Sequence, residues 1–151
     1  MTLPGYKHQP SEKWVDPTPL PDDLPKVEEI GATSAPLKSI AFFFNSLCQE
    51  YNEDFMLCKA ENPDPKHCLT EGRKVTRCSI DVLSKVKENC AEVFESHWKC
   101  LDLGNQEYQM CRPEEKKLND CIFTKLGWTK VIPGTPKGQT QVNELKNPIF
   151  K

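Results

Sequence analysis

The sequence has 151 residues, a formal charge of −2, 28% charged residues and 37% hydrophobic ones. That length fits one domain or two very small ones, soluble and poor in core material. The near-neutral balance argues against nucleic acid as the main partner, because phosphate binding needs a concentrated basic patch, and the longest apolar run, Ile40 to Phe44, is too short for a transmembrane helix.

The chain begins with a proline-rich stretch. Pro4, Pro10, Pro17, Pro19, Pro21 and Pro25 all fall within residues 1–33. Proline fixes φ, removes a donor and restricts the residue before it. Residues 1–33 therefore read as an extended N-terminal arm without a core of its own. The arm carries Trp14, Leu20 and Leu24, which a linker has little use for but an arm lying on a partner does. It shows neither a secretory signal pattern nor an Arg-rich presequence: it has no arginine and six acids.

Helical periodicity starts after the arm. Ser34 is expected to cap a helix with Pro36 in its first turn. Leu37, Ile40, Phe44, Leu47, Tyr51, Phe55 and Cys58 then recur at steps of three and four, a helical stripe. Asn62-Pro63-Asp64-Pro65 ends it, and Asp64 is expected to cap the next helix. That helix carries Cys68, Leu69, Val75 and Cys78. A third stripe runs through Val82, Val86, Cys90, Val93, His97 and Cys100 to a stop at Gly104. Whether the second and third helices are continuous through Ser79–Asp81 stays open at this level. Pro113 fits the first turn of a further helix, with Leu118, Cys121, Ile122 and Leu126, stopped by Gly127. Beyond it, Pro133, Gly134, Pro136, Gly138 and Pro148 make residues 128–151 an irregular C-terminal arm, with Trp128 and Phe150 as further apolar anchors.

The cysteines fall at 48, 58, 68, 78, 90, 100, 111 and 121. Nine residues separate 48 from 58, 68 from 78, 90 from 100 and 111 from 121, an internal duplication with a period of about 42 residues. Ten residues of helix span about 15 Å, so two such helices folded antiparallel meet at two levels. Eight cysteines allow about 105 pairings. Hairpin geometry selects Cys48–Cys78 with Cys58–Cys68, and Cys90–Cys121 with Cys100–Cys111. Pairing along one helix fails, because bridged Cα atoms must lie within about 7 Å. The expected architecture is all-α: hairpins over 34–81 and 82–127 between the two arms.

Other chemistries find little support. Structural zinc ligands usually sit two to four residues apart, and the chain has no Cys-x2-Cys or Cys-x4-Cys. His67 and His97 are the only imidazoles near cysteines, and His97 reads as packed on a helix face. A Cys-x2-Cys redox motif, a Gly-rich phosphate loop and a Gly-x-Ser-x-Gly elbow are missing too. Glu28-Glu29 and Glu114-Glu115 read as solvated faces and helix starts. No catalytic residue, cofactor or metal is expected.

Twin Cys-x9-Cys hairpins resemble the coiled-coil-helix-coiled-coil-helix (CHCH) family. The match narrows on Glu53-Asp54-Phe55-Met56-Leu57-Cys58, on Asp64 to Gly72, on Cys90-Ala91-Glu92-Val93-Phe94 with Trp98-Lys99-Cys100, and on Leu126-Gly127-Trp128. These segments, over about residues 30–130, look like the quadruple-Cys-x9-Cys accessory subunits of mitochondrial respiratory complex I, the 19 kDa alpha-subcomplex subunit 8 type in a fungal-like form. The resemblance implies a non-catalytic subunit, peripheral to the inner membrane on its intermembrane-space side, that stabilises or helps assemble the membrane arm. It implies other complex I subunits as partners, import through the intermembrane-space disulfide relay, and no redox centre, quinone or metal. A free intermembrane-space CHCH assembly factor or chaperone is the competing expectation.

Overall fold

The structure is a computed structural model and describes residues 19, 22–23 and 27–145. Trp14, Leu20, Leu24 and Phe150 lie outside the described residues. The elements are α1 (Ser34–Ser39), α2 (Ala41–Leu47), α3 (Gln49–Glu61), α4 (Leu69–Leu103), a 3₁₀ turn at Tyr108–Cys111 and α5 (Arg112–Leu126). There is no strand among the described residues. The fold is all-α, two helical hairpins stapled by disulfides.

The first arm of the first hairpin is broken twice, at Ile40 (φ −110°, ψ 8°) and at Cys48 (φ −110°, ψ 20°). Ile40 is β-branched and Phe42, Phe43 and Phe44 follow it closely, and β-branched and aromatic residues lose rotamer freedom in a helix and hold it weakly. Each break resets the helical phase. Phe43 is therefore buried where the unbroken stripe predicted Phe44, while Leu47 and Tyr51 stay partly exposed. Two predicted caps also differ. Thr33 holds the N-cap position of α1 without a side-chain bond, and Ser34 Oγ instead accepts from Gln106 Nε2 at 2.7 Å. Asp64 closes a turn, its Oδ1 accepting the Lys66 N–H at 3.1 Å, and helix α4 starts only at Leu69.

Helix α4 answers the question that periodicity left open. It runs unbroken through Ser79–Asp81 and bends only at Cys90 (φ −133°, ψ 31°). Its 35 residues give a helical path of about 50 Å, bent at Cys90. One helix thus supplies the second arm of one hairpin and the first arm of the next. Its buried face carries Val82, Leu83, Val86, Cys90, Phe94 and Leu101, each large apolar side chain adding about 1.5–3 kcal/mol on burial. Ile40 and Phe43 of the first arm and Leu118 and Ile122 of α5 close on this face to form the core. By contrast, α3 has no buried residue.

Four disulfides tie the arms. Cys48–Cys78 and Cys58–Cys68 hold the first hairpin, with Cα atoms 6.1 and 6.0 Å apart. Cys90–Cys121 and Cys100–Cys111 hold the second, at 6.1 and 5.9 Å. At the end of α4, Gly104 keeps a negative φ of −96°, and the left-handed conformations of that turn fall on Asn105 and Gln106. Gly127 ends α5 in the left-handed region at φ +65°, with open space where a Cβ would sit. Gly127→Ala is expected to cost about 1 kcal/mol from backbone strain alone. A change in urea midpoint at constant m value would report it.

Candidate functional site at the hairpin junction

Where α1, α4, α5 and the C-terminal arm meet, the core holds polar groups. Glu115, in the first turn of α5, is 2% exposed. Lys130 of the C-terminal arm places Nζ 2.6 Å from Glu115 Oε1 and 3.3 Å from Asn119 Oδ1. Arg112 takes the other carboxylate oxygen of Glu115. The Lys130 ammonium also lies 5.1 and 5.6 Å from the Phe42 and Phe43 ring centres, a cation–π geometry. Burial pushes the Lys130 pKa below the usual lysine value, while the bond to Glu115 pulls it back up. Gln141 brackets the same stretch of arm, donating to the Lys130 carbonyl at 2.9 Å and accepting from the Ile132 N–H at 2.8 Å. The C-terminal arm is thereby locked onto α5.

Sequence reading placed Glu115 on a solvated face, and the structure overturns that. The signal was present, since Glu115, Leu118 and Ile122 fall at i, i+3 and i+7, the buried stripe of α5. Acidic residues are so common in the first turn of a helix that Glu115 reads as a helix start before it reads as part of that stripe.

His97 is fully buried on α4. Its Nδ1 lies 2.7 Å from Ser39 Oγ of α1, and its Nε2 has no hydrogen-bond partner among the described residues. The Tyr108 hydroxyl donates to the Lys38 carbonyl, and its ring stands 6.3 Å from that of His97. Desolvation pushes the His97 pKa down to about 4, against a smaller upward pull from Glu115. The folded chain therefore keeps His97 neutral at pH values where the unfolded chain protonates it. Stability from this group is complete above about pH 6.5. It is expected to fall by about 3 kcal/mol as the pH drops to 4. His97→Asn, which keeps an acceptor for Ser39, should flatten that part of a pH–stability curve even though the variant is less stable overall.

Of the residues singled out as anchors, Trp128 is the one described. Its ring packs 6.5 Å from that of Phe43. Half-buried, it closes a cleft with Leu47, Tyr51, Lys74, Arg77 and Lys85. Further apolar surface is exposed at Met56 and Leu57 on α3, and at Leu103 and Met110 around the second turn, between 62% and 90% accessible. Isolated exposed apolar residues are ordinary, but several on one small chain suit a protein built to be covered. At the first turn, Cys58, His67 and Cys68 bring their ligand atoms within 4.8 Å of one another, with the two sulfurs bonded together.

Two antiparallel hairpins, each stapled twice at Cys-x9-Cys spacing, define a twin-CHCH protein. No family model matches the chain. It is 50% identical over 137 residues to the NADH-ubiquinone oxidoreductase 20.8 kDa subunit of Neurospora crassa, covering 89% of this chain and 75% of that protein. It is 32% identical over 84 residues to NADH dehydrogenase [ubiquinone] 1 alpha subcomplex subunit 8-A of Arabidopsis thaliana, covering 56% of this chain and 78% of that one. Subunit 8-B from the same plant matches over a similar length at the same identity. The chain belongs to this family of NADH-ubiquinone oxidoreductase subunits.

Proposed function

We propose that this chain is a non-catalytic accessory subunit of mitochondrial NADH:ubiquinone oxidoreductase. In this reading it is peripheral to the inner membrane on the intermembrane-space side and clamps neighbouring subunits of the membrane arm. The observation that carries the reading is the 50% identity to the 20.8 kDa subunit across nearly nine-tenths of the chain. No helix among the described residues is long and apolar enough to cross a membrane, which fits a peripheral placement. Four disulfides suit an oxidising compartment and a chain too small to be held by its core alone. Import through the intermembrane-space disulfide relay follows from the same reading.

The mechanism is mechanical. The stapled hairpins present a fixed surface, and the apolar groups of the arms, Trp14, Leu20, Leu24, Trp128 and Phe150, anchor on neighbours. Native-gel complexome profiling tests the assignment: the chain should migrate with the megadalton NADH dehydrogenase. Migration as a free species near its own mass would overturn it in favour of a soluble assembly factor. Deleting residues 1–30 should weaken incorporation, and unchanged assembly would refute the role given to the N-terminal anchors.

A further inference from the structure

We propose that the cleft beside Trp128 docks an acidic segment of a neighbouring protein, one that presents carboxylates to Arg77 and Lys85 and an apolar side chain to Trp128; this rests on the subunit reading above and gives one of its contacts a chemistry. Helix α4 sets Lys74, Arg77, Asp81 and Lys85 along the cleft at i, i+3, i+7 and i+11, one face of the helix. Leu47, Tyr51 and Trp128 supply its apolar lining. Leu47 and Tyr51 stay 42% and 43% exposed, so much of their apolar surface is not used by the core.

Three cations against one acid leave the cleft positive, on a chain whose formal total is −2. Lys74 is already engaged by Asp54 at 3.6 Å. Arg77 and Lys85 are exposed and make no ion pair among the described residues. Eight residues of helix set them about 12 Å apart. Complementary charge selects and orients a partner, while aromatic and arginine side chains covered at the centre carry most of the affinity. Tyr51, Arg77 and Trp128 give this cleft that composition. Asp81 favours a protein over a lipid surface. It stands between Arg77 and Lys85 on α4, where a layer of anionic headgroups would meet it with like charge. A polypeptide can instead place a donor there, a backbone N–H or a lysine, between its two carboxylates. The concave shape points the same way, because a bilayer presents a plane. Trp128 also packs on Phe43, so its removal would disturb the core. Arg77 and Lys85 can be changed without that cost.

The test starts from the intact complex that carries this chain, treated with a zero-length carbodiimide that condenses a lysine with a touching carboxylate. Peptide mass spectrometry should find Lys85 joined to an Asp or Glu of a second protein. Acetylation of Lys85 should be about tenfold slower in the complex than in the free chain. Arg77→Glu with Lys85→Glu is expected to leave the circular dichroism and melting temperature of the free chain unchanged. It should cut the share of chain retained after a high-salt wash of the complex by about tenfold. Equal acetylation of Lys85 in both states, cross-links confined to this chain, or unchanged retention of the double variant would each overturn the proposal. So would binding of the free wild-type chain, but not the double variant, to phosphatidylcholine vesicles containing phosphatidylglycerol, with no cross-link from Lys85 to a protein; the cleft would then be a membrane contact. In each of these cases the chain still migrates with the complex. A chain that does not migrate with it overturns the subunit reading as well, so the two failures are distinct.

Discussion

Lys130→Met is expected to destabilise the protein by about 3–5 kcal/mol, more than most single changes to its core. The side chains of Lys130 and Glu115 are only 3% and 2% exposed. Removing the ammonium leaves a carboxylate in the interior with Arg112 as its remaining cation, and an uncompensated buried charge costs that much. The double variant Lys130→Met with Glu115→Leu tests the cause. Replacing both members of a buried pair by apolar groups of similar size is close to neutral. Arg112 is a third exposed and can turn to water. Urea unfolding followed by circular dichroism, with the disulfides intact, should show a large loss for the single variant and recovery to within about 1 kcal/mol for the double. If the single variant costs under 1 kcal/mol, the pair does not hold the arm.

The second large effect concerns the first hairpin. Helix α3 has 13 residues and buries none of them. An isolated helix of that length is marginal in water. Its place therefore depends on the two staples at Cys48–Cys78 and Cys58–Cys68, which close intervals of 30 and 10 residues. In the loop-entropy model these contribute roughly 4 and 3 kcal/mol. Replacing all four cysteines with alanine should melt α3 while α4 and α5 stay folded around Phe94, Leu118 and Ile122. Hydrogen exchange would report it as lost protection confined to residues 49–61. Removing the staples of the second hairpin should instead lower the stability of the whole chain, because α4 and α5 carry the core. Retained protection in α3 would mean that contacts along α4 hold it without the bonds.

Much of this was legible in the sequence. The repeated nine-residue interval marked two hairpins, because helix geometry turns that spacing into two levels of contact. The ends of the helical segments near Pro63 and Gly127 were also legible, since proline and glycine punctuate helices for local reasons. What stayed hidden was set by tertiary contact. The break at Ile40 moved the buried position from Phe44 to Phe43, and weak local propensity does not fix where such a break falls. Ser34 lost its capping role to a bond from Gln106, 72 residues away. The junction needed Lys130, from a segment with no periodic pattern, to meet Glu115. Buried ion pairs are rare enough that a helix-start glutamate reads as solvated by default.

The continuous path of α4 through both hairpins means that the two halves of the duplication are phased like marks on one shaft. Cys78 and Cys90 stand on the same helix, so the number of residues between them sets the angle at which one stapled hairpin faces relative to the other. Each residue added or removed there would turn the second hairpin by about 100° and shift it by about 1.5 Å. Neighbours gripping both hairpins would then lose one grip or the other. Substitutions on the exposed side of that stretch are tolerable, whereas a single-residue insertion is not, although it would leave all four nine-residue intervals between cysteines unchanged.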